Sequence, residues 1–243
     1  MSRKNFFLLC VTCLMFQMAT VGATIAAPQK SASGKAESAE WIGLFDGKTL
    51  DGWKGAEGLW TVADGAITGT TTSETKLAAN SFLVWQGGKI GDFELKLKFR
   101  IENGNSGIQF RSEDLGDFHV GGYQADIDSK KRYTGILYEE RMRGILCERG
   151  KKVEVGADNK VKEVGETCDG KAFSEKVDES QWNQYTIVAK GNHITQTIND
   201  FVTVDLIDNG PKAAKEGILA FQIHVGPPMK VQFKDIQLKK LSK

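Results

Sequence analysis

Charge of one sign, histidine, cysteine and long apolar runs are all in short supply in this 243-residue chain. Lysine and arginine total 32 against 31 aspartates and glutamates. A near-neutral chain offers no basic footprint for nucleic acid, and none for an electrostatically held membrane surface. The apolar stretch Phe6 to Met18 is too short to span a bilayer, and no stop-transfer pattern follows it. There are four cysteines, of which Cys10 and Cys13 fall in that stretch. No CxxC or His-x-x-His spacing occurs beyond it, so a zinc site has no support and neither metal nor cofactor is expected. Convincing helical periodicity is also missing; Asp208 to Glu216 has room for one short turn.

The N-terminus has the layout of a secretory signal: Arg3 and Lys4, then the apolar run, then small residues in Ala23-Thr24-Ile25-Ala26-Ala27. Cleavage is expected after Ala23 or Ala26, which gives a signal peptide at 1–26. The product is an exported protein, periplasmic or secreted, with no membrane association once the signal is removed. Residues 27–40, rich in Ser, Ala, Lys, Gly and Glu, read as a flexible linker. A domain at 41–243 follows. Its length suits one all-β domain, and its sequence does not indicate an oligomeric state.

What the chain does have is alternation. Phe93, Leu95, Leu97, Phe99 and Ile101 alternate with Glu94, Lys96, Lys98, Arg100 and Glu102. A period of two puts successive side chains on opposite faces of a strand. After the turn cluster Asn103 to Gly107 comes a second run, with Ile108 and Phe110 opposite Gln109 and Arg111. In a third, Gln124, Asp126 and Asp128 share a face. Carboxylate, amide and guanidinium groups on such faces suit the hydroxyls of a sugar; the same pattern also describes the solvated outer face of an antiparallel sheet. Leu59 to Val62 and Ala66 to Thr68 flank Asp64-Gly65, a hairpin turn. Gln184–Lys190, His193–Ile198 and Phe201–Leu206 form a meander. About a dozen short strands with Gly-rich turns imply a sandwich or jelly roll.

Cys147 and Cys168 are the cysteines beyond the signal. An even pair in an exported protein predicts a disulfide. It would close a loop of ~20 residues and stabilise the fold by roughly 3 kcal/mol.

Several segments together resemble a known bacterial family. They are Trp41-Ile42-Gly43-Leu44-Phe45-Asp46-Gly47-Lys48-Thr49-Leu50-Asp51-Gly52-Trp53, Gly91-Asp92-Phe93-Glu94-Leu95, Asn105-Ser106-Gly107-Ile108, Gly122-Tyr123-Gln124-Ala125-Asp126, Trp182-Asn183-Gln184-Tyr185 and Phe233-Lys234-Asp235-Ile236. Over Trp41 to Leu241 the chain is similar to exported 3-keto-disaccharide hydrolases (3-keto-glucoside 1,2-lyase/3-keto-2-hydroxy-glucal hydratases). The resemblance implies a concanavalin A-like jelly-roll β-sandwich, single-domain, with sugar on the concave face. The Cys147 to Cys168 segment is longer than the family pattern leads one to expect.

The implied reaction needs a base for the C2 hydrogen that a C3 ketone acidifies, donors for the enolate oxygen, and an acid for the leaving oxygen. Asp126, Glu140 and His224 are the candidate catalytic residues; histidine titrates in the right range. Arg100, Asn105, Arg111, Tyr123, Gln124, Tyr138 and Gln222 are the candidate substrate-binding residues. For Asp128, at the mouth of a turn, a structural role is preferred, and an ion pair is the competing role for Arg111. Two alternatives stay open. One is a non-catalytic carbohydrate-binding module, which would rely on exposed aromatics. The other is an ordinary glycosidase, which on this kind of sandwich carries Glu-x-Asp-x-x-Glu. Here Asp126-x-Asp128 is followed by Lys131 where the third acid would fall.

Overall fold

In the computed structural model, residues 40–242 are described; the signal segment and nearly all of the linker expectation lie outside them. The first strands in chain order are β1 (Trp41–Gly43), β2 (Trp53–Lys54), β3 (Trp60–Ala63), β4 (Ala66–Thr70), β5 (Ser81–Trp85), β6 (Phe93–Glu102) and β7 (Asn105–Asp114). Then come β8 (Val120–Asp128), β9 (Leu137–Glu140), β10 (Gly144–Cys147), β11 (Lys151–Val155) and β12 (Val161–Glu166). The helix α1 (Gly170–Lys176) precedes β13 (Asn183–Lys190), β14 (His193–Ile198), β15 (Phe201–Asp208), β16 (Ile218–Ile223) and β17 (Lys230–Lys240).

The strands form two sheets. One runs β12-β11-β15-β14-β13-β6-β17-β4-β3, with β1 added to β17; the other runs β10-β9-β8-β7-β16-β5-β2. Alternation decides which faces meet. Along β6, Phe93, Leu95, Leu97, Phe99 and Ile101 are buried and the charged residues between them are not. A one-residue slip would turn four charges into the core, so register is strongly specified. The inner faces interdigitate as in other sandwiches. Phe221 of β16 stacks on Phe233 of β17 at 4.0 Å, and Phe93 of β6 meets Phe110 of β7 edge-on at 5.9 Å. Trp53 stacks on Phe221 at 4.8 Å, and its indole N–H donates to the Leu44 carbonyl at 2.8 Å.

The expected hairpin is β3–β4, with Asp64 and Gly65 both at positive φ (55° and 68°), as a type I′ turn requires. The expected meander is β13–β14–β15. Asp208 to Glu216 holds one hydrogen-bonded turn, the Ala213 amide donating to the Gly210 carbonyl at 3.1 Å, and no helix. The helix α1 lies instead just after Cys168, capped by Asp169, whose carboxylate accepts from the Lys171 and Ala172 amides. The disulfide expectation is corrected: Cys147 and Cys168 are free thiols. Cys147 is buried, with its sulfur 3.3 Å from the Lys151 carbonyl oxygen, while Cys168 stands half-buried against Gly150.

Candidate active site on the seven-stranded sheet

Where β8 turns Tyr123, Ala125 and Ile127 inward, it turns Gln124, Asp126 and Asp128 outward. Cross-strand register extends this outer face sideways. Gln109, Gln124, Tyr138 and Ile145 stand opposite one another across β7, β8, β9 and β10. In the next row Gly107 faces Asp126, and beyond it Asn105 faces Asp128. Gln222 of β16 joins from the other side. Of these, Asn105, Gln124, Asp126, Asp128, Tyr138, Ile145 and Gln222 line a cleft of about 600 Å³, within the usual range for a small-molecule site.

Gly107 is what lets the floor close. A Cβ there would sit 2.4 Å from Gln124 Cγ, so the Gln124 side chain occupies the space that a larger residue would fill. From that position a directed hydrogen-bond chain forms. The Ser112 hydroxyl donates to Gln109 Oε1 at 2.7 Å, Gln109 Nε2 donates to Gln124 Oε1 at 2.7 Å, and Gln124 Nε2 donates to Asp126 Oδ1 at 2.5 Å. Each link fixes the orientation of the next amide, so a donor always points at Asp126. Burial dominates the carboxyl's protonation. It pushes Asp126 up to about 8, helped by the nearby Asp128 and Glu140 charges and opposed by the Gln124 and Asn105 contacts. Asp126 is therefore a carboxyl able to hold or release a proton near neutral pH. Gln222 is fully buried, and its Nε2 has no partner within the protein, which leaves one amide donor free at the cleft.

One end of the cleft is closed by Asn80. Its Nδ2 donates to Glu140 Oε1 at 3.2 Å, and its Oδ1 accepts from the Val225 amide at 3.0 Å. His224 follows β16 directly. Its Nδ1 lies 2.6 Å from the Val225 carbonyl oxygen, which can only accept; the ring proton therefore sits on Nδ1, and Nε2 of the neutral ring is an acceptor. The Tyr138 hydroxyl has its pKa raised by burial and by the charges of Glu140 and Asp126.

The other end is the loop between β8 and β9. Asp128 shapes it by accepting from the Lys130 and Tyr133 amides at 3.0 and 3.2 Å, the structural role preferred for it. The loop brings Lys130, Arg132 and Tyr133 to the cleft. It is braced from behind. Lys131, at φ 63°, donates to the carbonyls of Ser174 and Val177 at the end of α1, at 3.0 and 2.6 Å. Arg149 donates to the Lys131 and Thr134 carbonyls at 2.7 and 2.6 Å and lies over the Phe173 ring of α1. The segment from Cys147 through α1 thus holds the cleft loop in place.

Of the residues singled out from sequence, the structure gathers Asn105, Gln124, Asp126, Tyr138, Glu140, Gln222 and His224 around this cleft. Three are placed elsewhere, and these are corrections. Arg111 sits at a β-bulge with φ 45°, where the β7–β8 register jumps between Phe110 and Glu113. The extra residue turns its side chain off the Gln109 face. There it is buried, donating to the Gly91 and Gly191 carbonyls at 2.9 and 2.6 Å and pairing with Asp92 at 2.8 Å. Tyr123 faces inward, and its hydroxyl donates to Asp208, which Arg143 binds together with Glu139. Arg100 belongs to the other sheet, where it donates to Gln232 at 2.7 Å and lies over Trp182. Sequence reasoning missed Asn80, Arg132, Tyr133 and Ile145. Ile145 alone lies on a strand, where its alternation with Leu146, which is buried while Ile145 is not, was the usable signal. Among the described residues, no group of three or more His, Cys, Asp or Glu is placed to hold a metal ion.

A cleft floored by amides and carboxyls on one face of a two-sheet sandwich puts the protein among the carbohydrate-active β-sandwiches of glycosyl-hydrolase type. The fold is shared with a β-glucanase from Bacillus licheniformis, at TM-score 0.52 and 10% identity over 86% of this chain and 100% of that one. It is also shared with the carbohydrate-binding module CBM66 from Bacillus subtilis, at TM-score 0.51 and 15% identity over 78% of this chain and 96% of that one. The chain belongs to the family described as the 3-keto-alpha-glucoside-1,2-lyase-like domain, whose pattern matches residues 40–239. A 3-keto-disaccharide hydrolase from Bacteroides thetaiotaomicron is 31% identical over 83 residues, a stretch covering 31% of this chain and 28% of that relative.

Proposed function

We propose that this protein cleaves 3-keto-glucosides by elimination followed by hydration, with net hydrolysis. The observation that carries the reading is the Asp126 carboxyl, buried in the cleft, held by a directed amide chain and titrating near 8. In this reading Asp126 takes the proton from C2. The electron pair becomes the enolate of the C3 ketone, and Gln222 Nε2 and the Tyr138 hydroxyl are the donors for its oxygen. The C1–O bond then breaks, and the leaving oxygen takes the proton that Asp126 removed from C2, which returns Asp126 to its ionised form. Water adds across C1 and C2 to give the 3-keto sugar. Export to the periplasm or the medium, as the N-terminal segment implies, would place the enzyme where glycosides arrive from outside the cell.

Asp126→Asn tests the assignment. Loss of a positioned general base costs roughly 10²–10⁴ in turnover, while ground-state binding weakens less, because the base acts on the transition state. Turnover of a 3-keto-glucoside in D₂O should also leave deuterium at C2 of the product. Full activity of the variant, or product without deuterium, would remove this mechanism.

A further inference from the structure

The cleft is not uniform. Its centre is polar, with Asp126, Gln124 and Gln222, but towards the β9–β10 edge it becomes apolar. Ile145 stands directly opposite Tyr138 in the β9–β10 register, so both side chains share the cleft face and lie next to each other in one row. Ile136 and Tyr133 line the same cleft. Ile145 is 40% exposed, an unusual state for a large aliphatic residue beside a polar site. The loop after β16 brings a second exposed aliphatic residue, Val225 at 37%, together with Pro227. Single exposed hydrophobics are ordinary on a protein surface, but these converge on one cavity from separate elements. Ile145 takes no part in the amide chain or in acid–base chemistry, and hydroxyls of a second sugar would find no hydrogen-bond partner on it. Tyr138 connects the two regions, with its hydroxyl near Glu140 and Asp126 and its ring beside Ile145.

We infer that the leaving group of the natural substrate is apolar: an alkyl or aryl aglycone seated on Tyr138, Ile145 and Val225, not a second sugar. The inference rests on the cleft being the glycoside site proposed above, and goes beyond it by naming the class of aglycone. Apolar burial at this edge should favour a hexyl over a methyl aglycone by roughly 10- to 100-fold, chiefly in KM. Both leave as primary alcohols of similar acidity, so the comparison reads the subsite and not leaving-group ability.

The experiment measures two things on the full-length protein. One is kcat/KM for the 3-keto forms of hexyl glucoside, methyl glucoside and a glucose disaccharide. The other is Kd for the unoxidised hexyl and methyl glucosides, read by NMR titration, for wild type and for Ile145→Ser and Val225→Ser. The expected result is a hexyl preference of at least 10-fold in both measurements, with the disaccharide no better than the methyl glucoside, and a hexyl-to-methyl ratio that falls towards one in each variant. Equal wild-type binding of the hexyl and methyl glucosides, or a preference that survives both substitutions, would overturn the inference. Better turnover of the disaccharide than of the hexyl compound would overturn it as well. If binding shows the preference but no 3-keto compound is turned over, the proposed reaction fails while the apolar subsite stands.

Discussion

Replacing Asp126 with asparagine should change how the stability of this protein depends on pH. In the unfolded chain this carboxyl ionises near 3.8, and in the folded cleft near 8. The folded state therefore binds the proton more tightly. The resulting stabilisation is present in full below pH 3.8 and is lost as the pH rises through 8. Each pH unit between the two values removes about 1.4 kcal/mol, so going from pH 6 to pH 9 costs the wild type about 3 kcal/mol. Asparagine keeps an oxygen to accept from Gln124 but carries no titrating proton. Every other titrating group is common to both proteins, and only those that feel the Asp126 charge, chiefly Asp128, Glu140 and Tyr138, respond to the substitution. Thermal unfolding followed by circular dichroism at pH 6, 7, 8 and 9 should show the wild-type Tm falling away from that of Asp126→Asn. At roughly 2–4 °C per kcal/mol for a domain of this size, the gap should change by about 6–12 °C. Parallel curves would refute the reasoning, because they would mean that Asp126 ionises in the cleft as readily as in the unfolded chain.

Gly107→Ala should destabilise the fold by about 1–3 kcal/mol, because its Cβ must displace Gln124; an unchanged Tm would show that the close approach is not a constraint. Lys131→Met removes the two bonds from the cleft loop to α1, and amide hydrogen exchange should rise in residues 129–135. Exchange equal to wild type would show that the loop does not depend on this brace. Alkylation of the folded protein should modify Cys168 well before Cys147, whose buried thiol is pushed up to about 12; peptide mapping that finds a Cys147–Cys168 bridge, or equal labelling, would contradict the free-thiol arrangement.

The strands were legible where local pattern and tertiary environment agree. Phe93 to Ile101 alternate cleanly and are buried on one face, and Asp64-Gly65 forms the turn its residue types favour. Gln124 and Asp126 share a face for the same reason. The helix α1 was invisible because seven residues are too few for a period of 3.6 to show. Arg111 was placed on the wrong face because a bulge breaks the period of two. The only local hint was the glycine pair Gly121-Gly122 on the facing strand. Arg100 shows another limit: alternation tells which residues share a face, but not which of two sheets that face belongs to. A substrate-binding role for Tyr123 contradicts its own strand pattern, which puts it on the face opposite Gln124 and therefore inward. Asn80, Arg132 and Tyr133 reach the cleft on loops, and loop paths are set by contacts distant in sequence, such as those of Lys131 with α1.

The most direct test of the account compares one glycoside in two forms, with and without a ketone at C3, at equal concentration with the purified protein. The elimination mechanism depends on the ketone to acidify the C2 hydrogen, so it predicts release of the leaving group from the 3-keto form and essentially none from the unoxidised parent. Equal rates on the two forms, a preference for the unoxidised sugar, or binding of both without turnover of either would contradict it.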